Sequence, residues 1–277
     1  MTRTDLIVPA RNEAANVPAL FDALPWSRLR RVILSDNGST DETAAIARAR
    51  GAEVVHEPRP GYGAACLAAI ARIAGEAQAD RGESASAVVR RSEQASNHGS
   101  PPPDAVAFLD ADLSDDPAEL PRLIDAVGGG EADLAIGTRT RLAEPGALEF
   151  HQRFGNALAC RLIALSCGQR FRGLGPRRVS RWEARGRLDM QDRTWGWMVE
   201  MNYKAATRGL KAVEIDVPYR KRHAGRSKIS GSLVGSWKAG RKILTTIREL
   251  HRTERRSDAA SSGQNPVNHS SGSSGPR

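Results

Sequence analysis

The sequence predicts an α/β fold built on a mainly parallel central sheet, and three observations support that prediction. Short runs rich in Val, Ile and Leu alternate with Ala-rich stretches of helical length through the first half of the chain, a pattern typical of βαβ units. Glycines and charged side chains follow directly after the apolar runs, as expected where parallel strands end at a ligand-binding edge. The length of 277 residues and the 40% hydrophobic content allow one sizeable core.

The β-branched or Leu-rich runs define the predicted strands, and the Ala-rich stretches between them define the helices. We predict strands at Asp5–Val8, Arg31–Ser35, Glu53–His56, Ala105–Leu109, Leu134–Ile136 and Val213–Val217. We predict helices at Val17–Leu24, Asp41–Arg50, Tyr62–Ala77 and Pro117–Val127. The second helix follows Ser39 and Thr40, and either residue is a favourable N-cap.

We expect a single folded domain over residues 1–251 with one interruption. Residues 79–103 are polar and small and end in three prolines, so we expect a disordered insertion between a helix and the following strand. Residues 252–277 contain too few apolar side chains to order themselves, so we expect a disordered tail. A partner-binding tail is the alternative.

Composition limits the possible environment and partners. The formal net charge of +9 allows nucleic acid, an anionic membrane or a phosphate-bearing substrate, and charge alone does not choose among them. The spacing of Cys66, Cys160 and Cys167 matches neither a zinc site nor a disulfide framework, so we expect buried or free thiols in a reducing compartment. No window approaches the roughly 18 apolar residues that a membrane span needs, and no signal-type segment is present, so we expect a cytoplasmic protein.

Four aspartates follow the fourth predicted strand, in the stretch DADLSDDP. Like charges this close repel one another unless a cation or several donors lie among them. Asp110 and Asp112, two residues apart at a strand end, can present both carboxylates to one Mg²⁺ or Mn²⁺ ion, which prefers oxygen ligands and also binds substrate phosphate. A solvated acidic turn is the alternative. Asp115 and Asp116, just before Pro117, are typical of a helix N-terminus.

The stretch SDNGSTD follows the second predicted strand. Asn37 and Gly38 suit a turn and Ser39 suits a cap, so the stretch can be a plain connection between strand and helix. Asp36 is not required by that turn, and a carboxylate at a strand tip can accept hydrogen bonds from a base edge or ribose hydroxyls. The chain lacks G-x-G-x-x-G after the first strand and lacks G-x-x-x-x-G-K-[ST], which argues against an NAD site and a P-loop.

The chain contains a series of short motifs along its length: VPARNE, DNGSTDET, GYGAA, DADLSDDP, IGTR, TWGWMVEM, VEIDVPY and RHAGRSKISGS. Together they resemble glycosyltransferase family 2, and in particular its dolichol-phosphate and polyprenyl-phosphate sugar transferases, over residues 6–244 apart from the insertion. The resemblance implies a single Rossmann-like domain of the GT-A type. It also implies a nucleotide-diphospho-sugar donor, an inverting transfer of a hexose, and a leaving diphosphate bound to Mg²⁺ or Mn²⁺.

The resemblance also implies roles for the acidic residues at the strand tips. By match of motif, Asp36 contacts the nucleotide, with Pro9 and Glu13 beside it. Asp110 and Asp112 hold the metal, and Asp110 also contacts the sugar. These residues form the expected donor side of the site.

Basic residues complete the site that the resemblance implies. Arg139 faces the donor phosphate or sugar, and Arg222 faces the diphosphate, with Ser227 and Lys228 on the same loop. Guanidinium and ammonium groups stabilise the charge that appears on a departing diphosphate. A solvated basic loop is the alternative for residues 222–228.

The sequence departs from the family where relatives commonly carry an aspartate in D-x-G-x-x-R. The chain has RGLGPRR there, which places Gly173 at the acidic position. An inverting displacement needs a group that accepts the acceptor's proton, unless the acceptor is already a phosphate anion. Three alternatives stay open: Asp192 or Glu200 takes the acidic role, the acceptor is a phosphate, or turnover is impaired.

Two further features could contact a sugar or a lipid. Trp195 and Trp197 precede Glu200 on a predicted helix, and they either line such a site or pack in the core. Residues 232–252 place apolar side chains on one side and basic ones elsewhere. This helix either lies on an anionic bilayer near a lipid-linked acceptor or packs on the domain.

The sequence therefore predicts a metal-dependent hexosyltransferase that uses a uridine or guanosine diphosphate sugar, with polyprenyl phosphate as a possible acceptor. A degenerate nucleotide-sugar-binding protein without turnover is the alternative suggested by Gly173. A sugar-nucleotide nucleotidyltransferase is disfavoured because the glycine-rich basic N-terminal loop is absent. A nucleic-acid partner is not expected, because no recognised motif accompanies the positive charge. The sequence does not predict the oligomeric state.

Overall fold

A computed structural model describes residues 1–80, 101–147, 150–224, 241 and 244–254. The described residues form one sheet of seven strands: β1 (Thr4–Ala10), β2 (Arg31–Asp36), β3 (Glu53–His56), β4 (Ala105–Phe108), β5 (Leu134–Thr138), β6 (Arg178–Arg181) and β7 (Ala212–Asp216). Their order across the sheet is β3-β2-β1-β4-β6-β5-β7.

The sheet is mainly parallel, which confirms the predicted fold class. β1 pairs in parallel with β2 and β4, β2 pairs with β3, and β5 pairs with β7. Only β6 runs antiparallel among the described strands, and it lies between β4 and β5. The carboxyl ends of the six other strands therefore meet at one edge of the sheet, and the loops that follow them can share a site.

Helices cover both faces of the sheet. In the described part of the chain they are α1 (Val17–Ala23), α2 (Thr43–Ala49), α3 (Tyr62–Asp80), α4 (Leu120–Gly128), α5 (Phe150–Cys167), α6 (Ala184–Leu188) and α7 (Trp197–Thr207); residues 244–254 are also helical. On β1, Leu6 and Val8 belong to one buried cluster and Ile7 belongs to the other. Burial on both faces explains why the strand sequences are continuously apolar rather than alternating.

The six predicted strands are confirmed, with ends that differ by one or two residues. The sequence patterns missed β6, α5 and α6. β6 has the sequence RVSR, and its Arg178 is 1% exposed. A buried arginine in a strand is costly unless partners elsewhere in the chain satisfy it, and such partners are not visible in the local pattern.

The prediction that Ser39 or Thr40 caps the second helix is wrong. The helix begins at Thr43, and Asp41 Oδ1 accepts hydrogen bonds from Thr43 N at 3.1 Å and from Thr43 Oγ1 at 2.5 Å. Ser39 Oγ instead accepts a hydrogen bond from Asn12 N at 2.9 Å. The loop after β2 is thus fastened to the loop after β1.

Both ends of the predicted insertion are structured. α3 continues through Asp80, and Pro103 is buried ahead of β4. Residues 81–100 and 255–277 lie outside the described residues, and their disorder stays a prediction. The three cysteines are free thiols, as predicted. No helix in the described ranges combines the length and the apolar character of a membrane span.

The first turn of α3 packs directly against the loop of residues 192–194. Gly63 N donates to Thr194 O at 3.2 Å, and Ala64 N donates to Arg193 O at 2.9 Å. These bonds satisfy two of the amide groups that a helix N-terminus leaves unpaired. A Cβ on Gly63 would lie 2.0 Å from the carbonyl oxygen of Asp192, so only glycine allows this approach.

We predict that Gly63→Ala destabilises the protein and that Gly75→Ala, in the same helix, stabilises it. The Gly63 variant drives a methyl group into backbone, which costs about 1–3 kcal/mol of unfolding free energy. A Cβ on Gly75 meets no atom within 4 Å, so the alanine should gain about 0.5–1 kcal/mol from helix propensity. Urea denaturation of both variants measures the difference, and equal effects would contradict the close approach at Gly63.

Candidate active site

The loops after β1, β2, β4 and β5 bring most of the predicted site residues to one edge of the sheet. β1 lies between β2 and β4, so the tips of β2 and β4 are about 10 Å apart. Asp36 ends β2, Asp110 and Asp112 follow β4, and Arg139 follows β5. Arg222 reaches the same edge from the segment after β7, where it pairs with Asp112.

Asp110 carries the carboxylate with the least local support. Its Oδ1 is buried and has no hydrogen-bond partner. Burial, together with the neighbouring charges of Asp112 and Asp115, raises the pKa of Asp110 to about 7, although Arg139 and Arg222 oppose that rise. The Asp110 oxygen without a partner is therefore available to a ligand that carries positive charge.

Asp112 is held on both of its oxygens. Oδ1 accepts hydrogen bonds from Ser114 N at 2.9 Å and Ser114 Oγ at 2.6 Å. Oδ2 forms a salt bridge with Arg222 Nη2 at 2.8 Å. Leu113, which lies between Asp112 and Ser114, has a φ of 58°, a left-handed conformation that is rare for a leucine. This strained turn fixes the direction of the Asp112 carboxylate.

Asp115 and Asp116 have different partners and different roles. Asp116 is a helix N-terminal residue, as predicted: its Oδ1 accepts from Ala118 N at 3.0 Å, at the start of the 3₁₀ turn Pro117–Glu119 that precedes α4. Asp115 does not cap a helix. It is 1% exposed and pairs with the fully buried Arg177 at 3.1 Å. The prediction for Asp115 is therefore wrong, because the buried guanidinium takes its carboxylate into the core.

Arg139 lies over the ring of Tyr219, with Cζ 4.5 Å from the ring centroid. Burial alone would lower the pKa of Arg139, but Asp115, Tyr219, Asp110 and Asp112 outweigh that effect and raise it. A cation held on an aromatic face keeps its charge and its direction. Arg139 thus faces the aspartate cluster, as its predicted role requires.

The residues that the sequence predicts to contact the nucleotide lie around the tips of β1 and β2. Asp36 is 4% exposed; its Oδ1 accepts from Ser39 N at 3.1 Å, and its Oδ2 lies 3.1 Å from His56 Nδ1. Pro9 pairs with Ser35 across the two strands. Glu13 follows β1, and its Oε2 accepts from Asn16 Nδ2 at 2.6 Å.

Glu200 lies on α7 and has no exposed oxygen to offer an acceptor. It is 2% exposed, its oxygens accept from Gln191 N at 2.9 Å and Asp192 N at 2.7 Å, and it forms a buried salt bridge with Lys204 at 2.8 Å. Glu200 thus holds the loop that begins at Gln191. Its burial and its partners make Glu200 a structural residue of this loop rather than an accessible proton acceptor.

Asp192 lies in that same loop and is partly exposed. Its Oδ1 accepts from Thr194 N at 2.7 Å and Thr194 Oγ1 at 2.8 Å. The loop packs on the first turn of α3, where a Cβ on Gly63 would lie 2.0 Å from Asp192 O, and the pKa of the adjacent Tyr62 is raised by burial and by the charge of Asp110. Of the two predicted acidic candidates, Asp192 is the one on the site's periphery.

The two tryptophans next to that loop differ in environment. Trp197 is 1% exposed and packs against Phe108 with ring centroids 6.2 Å apart, so it is a core residue. Trp195 is 49% exposed and lies 6.0 Å from the ring of Tyr62. Trp195 alone of the pair stays a candidate for contact with a sugar or lipid.

Gly173 has no side chain to act as an acid, but the carboxylate of Glu214 contacts its backbone amide. Its amide donates to Glu214 Oε1 at 3.1 Å, and the amide of Arg172 donates to the same carboxylate at 2.8 Å. The Arg172 guanidinium also contacts both oxygens of Asp216 at 3.0 Å. These acids are thus paired with arginine and backbone amides at the β5–β7 side of the edge.

Some predicted residues lie outside the described part of the chain, and some residues that shape the site were not predicted. Ser227 and Lys228 lie outside the described residues. Ser114, Arg177 and Tyr219 shape the aspartate cluster but were not singled out from the sequence. Ser114 had a local signal, because a serine two residues after an aspartate suits a side-chain turn. Arg177 and Tyr219 contact the cluster only through tertiary packing.

The C-terminal helical segment 244–254 packs on the domain. Ile247 is 6% exposed, Tyr203 Oη lies 3.1 Å from His251 Nδ1, and Arg208 pairs with Glu254 at 2.7 Å. Arg248 is exposed. The described part of the predicted amphipathic helix thus follows the packed alternative, while residues 225–240 lie outside the described residues.

Asp110 and Asp112 fit a divalent cation that is also bound by substrate phosphate. Mg²⁺ commonly takes one or two protein carboxylates and fills its other positions with phosphate oxygens and water. The free Asp110 oxygen and the oriented Asp112 carboxylate match that donor set. No group of three or more His, Cys, Asp or Glu side chains suited to an ion occurs within the described ranges.

Comparison with known proteins identifies the family of the chain. The family model described as glycosyl transferase family 2 matches residues 5–78. An uncharacterized glycosyltransferase of Mycobacterium tuberculosis is 34% identical over 235 residues, which cover 83% of this chain and 91% of the relative. The undecaprenyl-phosphate mannosyltransferase of Micrococcus luteus is 27% identical over 244 residues, with 83% and 88% coverage.

A solved structure supports the fold. Glucosyl-3-phosphoglycerate synthase from Mycobacterium tuberculosis, in complex with Mn²⁺, UDP and glucosyl-3-phosphoglycerate, superposes with a TM-score of 0.62 at 19% identity, covering 90% of this chain and 80% of that one. Its identity is low, so this likeness concerns the GT-A architecture only. The family is shown by the relative that is 34% identical along 83% of the chain, together with the family model. The chain is a glycosyltransferase that belongs to glycosyl transferase family 2.

Proposed function

We propose that this glycosyltransferase moves a hexose from a nucleoside diphosphate sugar to a polyprenyl phosphate, with inversion at the anomeric carbon and with Mg²⁺ or Mn²⁺ as cofactor. One observation carries the proposal. Asp110, which has a free buried oxygen, meets Asp112, Arg139 and Arg222 at one sheet edge. A group of two carboxylates and two guanidinium groups suits a metal-bound diphosphate.

The donor is expected to lie along the tips of β2, β1 and β4. Asp36 can accept hydrogen bonds from a base or ribose, since it is oriented by Ser39 N and His56. Arg139 and Arg222 can donate to diphosphate oxygens and stabilise their charge as the sugar departs. A divalent cation bound at Asp110 and Asp112 would supply further charge stabilisation to the leaving diphosphate. The Mn²⁺ and UDP in the glucosyl-3-phosphoglycerate synthase complex support this assignment.

A phosphate acceptor explains the absence of a side chain at Gly173. A phosphomonoester is largely ionised at neutral pH, since its second pKa is about 6, so it can attack the anomeric carbon without a general base. Glu200 is buried and fully paired, and Glu214 is bonded to the amides of Arg172 and Gly173. The likeness to an undecaprenyl-phosphate mannosyltransferase supports a lipid-linked phosphate, which would bring the protein to a membrane surface.

A nucleotide-sugar-binding protein without turnover is the second candidate, and Gly173 is the observation that favours it. The three atoms nearest to a Cβ at Gly173 would belong to Thr138 and Asn156, at 3.5–4.0 Å, so the backbone has room for a Cβ that the chain does not provide. Measured transfer to any acceptor would exclude this candidate.

We predict that Asp112→Asn strongly impairs transfer while Asp125→Asn, on the exposed surface of α4, retains it. Loss of a carboxylate that positions the metal should lower kcat by about 10²–10³-fold. The assay follows labelled hexose from UDP- and GDP-sugars onto polyprenyl phosphate with Mn²⁺ or Mg²⁺. Full activity of Asp112→Asn would refute the metal role.

We predict that Asp192→Asn lowers kcat by less than about tenfold, because a phosphate acceptor needs no base. A general base contributes about 10²–10⁴-fold, so the size of the loss separates the two mechanisms. Asparagine keeps an oxygen that can accept from Thr194. A loss of 10²-fold or more, together with a loss of the acidic limb of the pH profile, would assign the base to Asp192.

We predict that Asp110 makes the metal-free protein less stable as pH rises. Its pKa is raised to about 7 by burial and by the neighbouring carboxylates, so the folded state holds the proton more tightly than the unfolded state. The stabilisation is complete below pH about 4 and is lost as pH rises through about 7. Melting temperatures at several pH values should show Asp110→Asn gaining on the wild type as pH rises; parallel curves would contradict this.

A further inference from the structure

The two oxygens of Asp112 have partners of different kinds. Ser114 is 1% exposed and donates both its amide and its hydroxyl to Oδ1 from two residues away. Arg222 contacts only Oδ2, from a distant part of the chain, and its side chain is 33% exposed. The Ser114 contacts belong to the turn itself, whereas the guanidinium lies at the end of a long side chain that can move.

The backbone that carries Arg222 is fastened independently of its side chain. Arg220 N donates to Ser114 O at 2.8 Å, and His223 N donates to Asp112 O at 3.2 Å. Asn16 Nδ2 also donates to Ala224 O at 3.4 Å. The segment would therefore stay beside the aspartate turn if the guanidinium left Oδ2, and the freed group would still lie at the site.

We propose that Arg222 and a divalent cation exchange at Asp112 Oδ2, so that cation binding releases the Arg222 guanidinium toward the donor diphosphate. The proposal rests on the proposed function and adds a coupling between its two ligands. Asp112 Oδ1 is already occupied by two donors, which leaves Oδ2 as the exchangeable oxygen. A guanidinium stays charged at all physiological pH values, so it competes with the cation whenever it is paired with Asp112.

The exchange couples the two binding equilibria, that of the cation and that of the diphosphate. A cation that replaces Arg222 on Asp112 gives the diphosphate a free bidentate donor, and a diphosphate that draws Arg222 away opens Oδ2 to the cation. Each ligand then strengthens the other by the same factor. Arg222 would thus delay strong cation binding until a diphosphate arrives.

Titration with Mn²⁺ alone, followed by the electron paramagnetic resonance signal of the free ion, tests the exchange on the full-length protein. Arg222→Gln should bind Mn²⁺ about fivefold more tightly than wild type, which corresponds to about 1 kcal/mol. Arg220→Gln is the matched control, since Arg220 pairs with Asp116 at 2.9 Å in the same segment and carries the same charge. Its effect should be less than twofold. Arg222→Lys, a second variant, should fall between wild type and Arg222→Gln.

Three outcomes would overturn the proposal. Equal changes in Arg222→Gln and Arg220→Gln would show only a general charge effect. Weaker binding in Arg222→Gln would show that Arg222 supports the cation rather than competing with it. Failure of both wild type and Arg222→Gln to bind Mn²⁺ would also overturn it. The expected Mn²⁺ pattern without sugar transfer would instead retain the exchange and refute the proposed transferase reaction, so the two failures are distinguishable.

Discussion

The architecture of the site depends on the cost of placing three carboxylates, those of Asp110, Asp112 and Asp115, in one buried turn. Each is compensated differently: Asp115 by the buried guanidinium of Arg177, Asp112 by Ser114 and Arg222, and Asp110 only incompletely. Removing the partner of a buried charge is far more destabilising than removing a surface ion pair. The fold therefore has to bring cationic side chains to the tip of β4 from remote segments: Arg177 comes from the residue just before β6, and Arg222 from the segment after β7.

The sequence predicted the site features that depend on local patterns and missed those that depend on contacts between distant segments. The strand tips were predictable because their motifs directly follow apolar runs, and parallel strands bring their carboxyl ends together. Asp36, Asp110, Asp112 and Arg139 were found in this way. Arg177 was not, because it lies 62 residues from Asp115 and only the fold joins them. The same reason hid β6, whose buried Arg178 donates to Gly175 O and Met198 O, contacts that no local pattern reveals.

Glu200 and Trp197 show the opposite limit of sequence reasoning. Both are residue types that often bind substrates, and both lie on α7 as the sequence predicts. The environment decides their roles: Glu200 is used to hold two backbone amides and Lys204, and Trp197 fills the core beside Phe108. Residue type gives the chemistry that a side chain can perform, but burial decides whether a ligand can reach it.

The position of β6 affects how the sheet is completed during synthesis. β5 has no contact with β4 in the sheet; it joins the N-terminal strands only through β6, which comes after α5 in the chain. A nascent chain that ends before β6 would expose one side of β4, and exposed strand edges are sites of mispairing. The aspartate turn would at that stage also lack Arg177. One short segment of the chain, residues 177–181, therefore both completes the sheet and pairs the Asp115 carboxylate.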